Sequence, residues 1–326
     1  MKVLVDNRWD GKTGIGRLYR EIVKRRPEDV IILPVKSKIS LGNLFSPIFL
    51  GKEINFSHSD MFWSPSFMPP AYSKKPYVIT IHDVLHMFYY STWHKLYYKE
   101  VLSRLAKKAK VVITVSEYSK TQLVEHLNLH PKLVKVIYNG IDERFILNND
   151  RFILENPYFL YVGNRRKNKN ITLMLKAFAS ANIPNDFKFV MSGNIDKPLY
   201  QLIHDLKIES RIIFLGEISE NDLPKVYRGA FATIYASLAE GFGLPILESM
   251  ASGTPVITSN VTSLPEIAGG AAQLVDPLAV DSIKYGMESI FNDTSLYLTL
   301  VEKGLSRAKD FSWDETAKKT WQSILA

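Results

Sequence analysis

Cysteine is absent from the 326 residues. That excludes disulfides, thiolate catalysis and cysteine-ligated zinc or iron–sulfur centres, and it fits a reducing compartment. Also missing is any apolar run near the ~18 residues that cross a bilayer. The apolar content of residues 1–6 is too short for a signal peptide and reads as a strand. With 46% hydrophobic and 23% charged residues, the balance is that of a soluble globular chain, and a cytoplasmic location is expected. Charge is uneven. Residues 1–150 hold 23 Lys and Arg against 14 Asp and Glu, whereas the rest holds 18 against 19. A basic first half suits a solubilising surface, a phosphorylated acceptor, or peripheral contact with anionic headgroups at the inner face of the membrane.

The length suits two domains of about 150 residues each. Short apolar runs rich in Val and Ile recur at 3–6, 30–35, 61–64, 77–81, 111–115 and 134–138. They continue at 158–163, 188–192, 211–215, 232–236, 255–258 and 273–275. None alternates, which is how strands buried on both faces of a parallel sheet read. Helical segments lie between them, so two doubly wound α/β domains are predicted. Residues 141–157, polar and poor in periodicity, read as the linker. Ser219-Glu220-Asn221-Asp222 reads as a capping-box-like helix opening, and Ser312-Trp313-Asp314-Glu315 opens the last helix. Ligands of such sheets bind at the carboxyl ends of the strands, and two facing domains would form a cleft there.

Glu240 and Glu248 lie eight apart, separated first by Gly241-Phe242-Gly243-Leu244-Pro245. The run follows the predicted strand 232–236, and Pro245 suits a helix's first turn, which would set Glu248 about one turn in. Carboxylates accept from sugar and ribose hydroxyl pairs, glycines admit a ligand close to the backbone, and helix-start amides suit a phosphate. The bland alternative is a tight turn with one solvated and one capping glutamate. Gly163-Asn164-Arg165-Arg166-Lys167-Asn168-Lys169-Asn170 places four cations at another strand's end, either to neutralise a departing diphosphate or as a basic surface loop. Gly14-Ile15-Gly16-Arg17 opens a helix after the first strand, but without a third fingerprint glycine it argues against a dinucleotide site. His82 ends the strand before Asp83. With His86 it has an i, i+4 metal spacing but no third ligand nearby, and a cleft role is favoured. Ser116 suits a helix N-cap as well as an acceptor contact. Met87-Phe88-Tyr89-Tyr90, Trp93 and Tyr97-Tyr98, interleaved with Lys95 and Lys99, read as an amphipathic helix burying its rings, or as a membrane-interface or sugar-stacking face.

Taken together, residues 229–257, with Glu240, Glu248 and the Ala251…Gly253-Thr254-Pro255-Val256 run, strongly resemble the retaining glycosyltransferases of family 4. Ser263-Leu264-Pro265-Glu266 continues the likeness, which extends over essentially the whole chain. Gly270 departs from it, standing where many relatives carry an acidic residue. The resemblance implies a GT-B fold of two Rossmann-like domains facing a cleft. Residues 1–150 would bind the acceptor, 151–310 the nucleotide-sugar donor, and a helix within 311–326 would cross back to the first domain. It implies Glu240 on donor-sugar hydroxyls, Glu248 on the ribose, the amides of Phe242, Gly243 and Leu244 on sugar or diphosphate, and Arg165 with Lys169 as the diphosphate pair. Arg166 or Lys167 would serve if the register slips. Gly14 and Gly16 would let the first domain approach the donor phosphates, and His82 would contact sugar or acceptor, making His82 and Glu240 the catalytic candidates. The subgroup pattern looks most like bacterial O-antigen mannosyltransferases. This implies retention, GDP-mannose as donor, a glycan on a polyprenyl diphosphate as acceptor, no cofactor, no nucleic acid and no metal, since no Asp-x-Asp stands where a metal-dependent transferase would place one. A nucleotide-sugar epimerase and a non-catalytic sugar-nucleotide-binding protein are the rival readings.

Overall fold

A computed structural model describes residues 1–11, 13–37, 39–41, 43 and 45–326. The chain forms two compact units, residues 1–140 with 312–326, and residues 141–311. Each holds a six-stranded sheet in which every neighbouring pair is parallel.

In the first unit the strands are β1 (Lys2–Val5), β2 (Ile31–Pro34), β3 (Met61–Ser64), β4 (Tyr77–Thr80), β5 (Val111–Thr114) and β6 (Val134–Val136), ordered β2-β1-β3-β4-β5-β6. Each lies inside or within one residue of a run read from sequence. The central strands are buried along their length, MFWS and YVIT with no exposed position. The order reverses between β1 and β3, because the chain leaves β1 towards β2 and returns on the other side. Helix Gly14–Lys24 buries Gly16, Leu18 and Ile22, and Thr13 caps it by accepting from the Gly16 amide at 3.2 Å. Gly16 cannot be larger: a Cβ there would stand 2.0 Å from the Gly11 carbonyl oxygen.

The last helix, Trp313–Leu325, belongs to this unit. Ser312 caps it through the Asp314 amide at 3.1 Å. Trp313, Ala317, Trp321 and Ile324 share one core with Val3, Val5, Trp63 and Val78. The Trp321 indole donates to the Ile22 carbonyl at 2.9 Å, and Gly140 packs so tightly on the Trp313 backbone that a Cβ would sit 2.2 Å from its nitrogen.

The second unit carries β7 (Tyr158–Tyr161), β8 (Lys188–Met191), β9 (Ile212–Phe214), β10 (Ala232–Tyr235), β11 (Val256–Ser259) and β12 (Gln273–Val275), ordered β12-β11-β10-β7-β8-β9. Here the reversal falls between β7 and β10. The stretch 141–157 is more than a linker. It contains the helix Glu143–Leu147, whose Phe145 is buried and meets Tyr227 edge-on at 5.8 Å. That packing draws the boundary to residue 140, before the 150 expected from sequence. The opening at Ser219 also differs in detail. Its hydroxyl bonds the Asp222 amide at 3.1 Å, but it shapes a turn, and the helix itself runs Leu223–Gly229 with Pro224 in its first turn. The aromatic segment is broken into His86–Tyr89, Thr92–Leu96, a π-helical Tyr97–Leu102 and Ser103–Ala106. It buries Met87 and Tyr98 while leaving Phe88 and Trp93 exposed.

Candidate active site

At the carboxyl edge of the second sheet, the chain after β7 meets the chain after β10, on either side of the strand reversal. Lys169 Nζ donates to Glu240 Oε1 at 2.7 Å and to the Tyr235 hydroxyl at 2.6 Å. Glu240 is buried and Lys169 largely so, with 10% and 13% of their side chains exposed. The two segments that the sequence offers separately are thus one constellation, at the place where doubly wound sheets hold their ligands.

Backbone contacts fasten these loops. Asn168 donates to the Ala239 carbonyl at 3.0 Å and accepts the Leu238 amide through its own carbonyl at 2.7 Å. Asn170 donates to Ala236 at 2.9 Å and Pro277 at 2.7 Å, from a left-handed backbone with φ of +59°. That conformation accounts for Asn at this position, since Asn and Gly tolerate it best. The Ser263 hydroxyl lies 2.9 Å from the Glu240 carbonyl and 3.0 Å from that of Phe242, holding the turn from the other side.

Helix Leu244–Ala251 begins at Gly243, with φ of +115°, and Pro245 lies in its first turn. No side chain caps it, so its amino end offers a positive dipole and backbone donors to an anion. The Phe242 ring is buried edge-on against Phe311 at 6.0 Å, which makes it a packing group whose backbone, not its ring, belongs to the loop. Glu248 is 5% exposed and accepts from the Tyr227 hydroxyl at 3.0 Å. The cations differ in setting. Arg165 donates to the Ser192 carbonyl at 3.2 Å and to that of Asn194, and lies 3.8 Å from Asp196, so β8's end holds it. Arg166 and Lys167 are exposed.

Tyr235 and Tyr227 escape sequence reading, because each sits among apolar neighbours where an aromatic ring reads as core. Tyr235 is buried and stacked with Tyr161 at 6.2 Å, and its hydroxyl shares the Lys169 ammonium with Glu240. Burial and the Glu240 charge raise its pKa well above the usual value, so it stays a neutral hydroxyl. Tyr235→Phe keeps the ring and removes this oxygen. The expected result is a roughly tenfold fall in kcat with melting temperature nearly unchanged. An equal loss of melting temperature and activity would mark a packing role alone.

In the first unit, His82 follows β4 and its Nε2 lies 2.9 Å from the Pro65 carbonyl. A carbonyl only accepts, so Nε2 carries the proton and Nδ1 is an acceptor. Desolvation lowers the ring's pKa, partly opposed by that bond. The unfolded chain therefore protonates first, and this contribution to stability is complete above about 6.5. It is lost as pH falls below that until the native ring titrates. An NMR titration of the ring protons should give a midpoint below 6.5, and a midpoint above it would contradict the burial argument. His86 is occupied elsewhere, stacked on Tyr90 at 4.2 Å with Nδ1 3.2 Å from the Tyr98 hydroxyl. Among the described residues, no group of three His, Cys, Asp or Glu is arranged to hold a metal, and no helix is long and apolar enough to cross a membrane. Gly14 and Gly16 open the capped helix after β1, and Ser116 caps Glu117–Leu127 through the Ser119 amide at 3.0 Å.

Residues 142–307 match the family model described as glycosyl transferases group 1, and residues 14–145 match glycosyltransferase family 4. O-antigen chain mannosyltransferase B of Escherichia coli is 30% identical over 278 residues, which is 80% of this chain and 72% of that protein. O-antigen chain mannosyltransferase RfbU of Salmonella typhimurium is 34% identical over 205 residues, 61% of this chain and 56% of the relative. Anabaena HepE, solved in complex with UDP and glucose, superposes with a TM-score of 0.79 at 20% identity, covering 100% of this chain and 99% of that one. WaaG, a glycosyltransferase involved in lipopolysaccharide biosynthesis, gives 0.76 at 15% identity, with 99% of each chain covered. These structural likenesses identify the fold as GT-B.

Proposed function

Because the chain belongs to the glycosyltransferases of group 1 and family 4, we propose that it transfers mannose from GDP-mannose to a glycan carried on a polyprenyl diphosphate, with retention at the anomeric carbon. The observation that carries the donor half is the Lys169–Glu240 pair spanning the strand reversal at 2.7 Å. The naming of relatives as O-antigen mannosyltransferases supports the sugar and the acceptor class. The anomeric carbon–phosphate oxygen bond breaks, an acceptor hydroxyl attacks that carbon, and its proton leaves with solvent or the departing diphosphate.

Within this scheme Glu240 holds donor-sugar hydroxyls and Glu248 the ribose. Lys169 and Arg165 face the diphosphate together with the amino end of Leu244–Ala251, so charge developing on the leaving group meets fixed positive charge. His82, neutral and with Nδ1 as acceptor, suits a sugar or acceptor hydroxyl. Transfer then needs no added metal and survives EDTA. The test is incubation of the full chain with GDP-mannose, EDTA and polyprenyl-diphosphate-linked oligosaccharide, followed by mass spectrometry and the one-bond carbon–proton coupling of the new anomeric centre. An α-linked product is expected. A β-linked product overturns retention, and no product with any nucleotide sugar overturns the transferase reading.

Contact with a membrane surface completes the proposal. Phe88, Trp93 and Leu96 are 54%, 74% and 49% exposed, beside exposed Lys95 and Lys99, a combination that suits an anionic interface. Co-sedimentation with vesicles containing phosphatidylglycerol should exceed that with phosphatidylcholine alone and fall in Trp93→Ser; equal sedimentation with both would remove this part.

A further inference from the structure

The second unit holds a cavity of about 360 Å³ at the edge of its sheet opposite to Lys169 and Glu240. Its lining includes Pro157, Phe231 and Thr254, which precede β7, β10 and β11, whereas the candidate active site follows the first two of those strands. Another wall is one face of the helix Thr294–Ala308, which presents Tyr297, Val301 and Leu305 at four-residue spacing. The Phe231 and Tyr297 rings lie 5.1 Å apart and make that side aromatic.

Two arginines, Arg151 and Arg228, also line the cavity, and no Asp or Glu does. Arg228 is loosely held. Its Nη1 reaches the Ser252 carbonyl at 3.4 Å and its Nη2 the Asn149 Oδ1 at 3.5 Å, the outer limit of a hydrogen bond, while its buried Nε has no partner. Capping the helix Leu244–Ala251, which ends at Ser252, accounts for the first contact and leaves the charge unbalanced. Arg151 is exposed and, like Arg228, forms no ion pair among the described residues. Its charge acts on Tyr297, whose pKa burial raises and Arg151 lowers. Two like charges therefore share one small cavity without a counter-charge, an arrangement that an anion relieves.

The charges and the walls together indicate the class of ligand. A carboxylate balances one guanidinium. A phosphate monoester, with a charge of about −1.5 to −2 near neutral pH, balances both, and its terminal oxygens suit two guanidinium forks. Free phosphate leaves the Phe231 and Tyr297 surface wet, whereas an apolar substituent covers it. We propose that Arg151 and Arg228 bind the phosphate of a small organic phosphate monoester whose apolar part lies against Phe231 and Tyr297. The assignment does not rest on the transferase reading, and its site adjoins the end of Leu244–Ala251 that lies away from the proposed donor contacts.

Isothermal titration calorimetry of the full chain with phenyl phosphate, inorganic phosphate and benzoate tests the site. Phenyl phosphate should bind saturably and more tightly than either of the others. Arg151→Gln and Arg228→Gln should each weaken it about tenfold, the scale of one charge-assisted contact. Because Arg151 is exposed, Arg151→Gln should keep the wild-type melting temperature, which holds the test open even if Arg228→Gln folds poorly. Saturating GDP-mannose should leave phenyl phosphate binding unchanged, and so should Lys169→Met. Absence of binding by the wild type, or undiminished binding by both glutamine variants, overturns the site. Inorganic phosphate binding as tightly as phenyl phosphate overturns the apolar half of the assignment, and benzoate doing so overturns the phosphate class. Displacement by GDP-mannose, or loss of binding in Lys169→Met, would put the anion in the donor site and overturn the proposal. Phenyl phosphate binding that depends on Arg151, in a chain that binds no nucleotide sugar, would sink the transferase reading alone.

Discussion

Lys169→Met is expected to lower kcat/KM by at least about a hundredfold, the scale of losing one preorganised charge on a leaving group. It should also cost stability. Lys169 stands 2.7 Å from Glu240 with 13% and 10% of the two side chains exposed, so the methionine strands a buried carboxylate beside the Tyr235 hydroxyl. Breaking a buried pair from one side costs roughly 2–3 kcal/mol where some solvent remains. Glu240→Gln removes the charge from the other side and should depress transfer comparably. Because each variant breaks the same contact, the double variant should be less than additive in both kinetics and urea unfolding. Additive losses would mean that the two residues act independently. Arg166→Ala and Lys167→Ala serve as comparisons, since both side chains are exposed. A larger loss from either than from Lys169→Met would shift the diphosphate contact to that neighbour.

Gly243→Ala should disable the proposed donor site through the backbone. At φ of +115° an L side chain is strained whatever space it has, and a Cβ would come 2.7 Å from Leu264 Cδ2. Strain of this kind costs about 1–3 kcal/mol, which corresponds to a fall in melting temperature of roughly 2–12 °C for a unit of this size. The loop can relieve it only by turning the peptides that start Leu244–Ala251, which are the donors proposed to meet the phosphate. Donor affinity should therefore fall by about tenfold or more. Gly253→Ala is the comparison: its φ is also positive, +70°, but its Cβ would meet nothing closer than 3.7 Å, and it sits beyond the far end of that helix. It should lose stability without losing donor affinity. Equal affinity losses in both would point to general destabilisation.

The sequence carried the sheets almost completely. Runs such as YFLY and ATIY are short, rich in aromatic or β-branched residues and buried at every position, and burial on both faces of a parallel sheet favours that pattern. It carried less of what side chains do at a distance. Phe145 opens the run Phe145-Ile146-Leu147, and nothing local shows that this ring, and not its two neighbours, is the one that packs on Tyr227. Tyr235 reads as another strand aromatic, and its bond to Lys169 joins residues 66 positions apart. Asn168 and Asn170 read as loop polarity, although their amides tie the β7 and β10 loops together. The final helix shows its Ser312 cap locally, whereas its place in the first unit's core depends on Trp321 reaching Trp63 and Ile22. The Glu240 to Glu248 element was legible because a turn glycine, a helix-start proline and two carboxylates fall close together in the chain.

A thermal-shift screen of the wild type and Lys169→Met against nucleoside diphosphates and their sugars addresses the donor site most directly. A donor present at ten times its dissociation constant should stabilise the wild type by about 1.4 kcal/mol. GDP-mannose is expected to give that shift, and Lys169→Met is expected to lose most of it. A wild-type chain that responds to no nucleotide sugar, or a variant that responds as strongly as the wild type, would contradict a donor site built on Lys169 and Glu240.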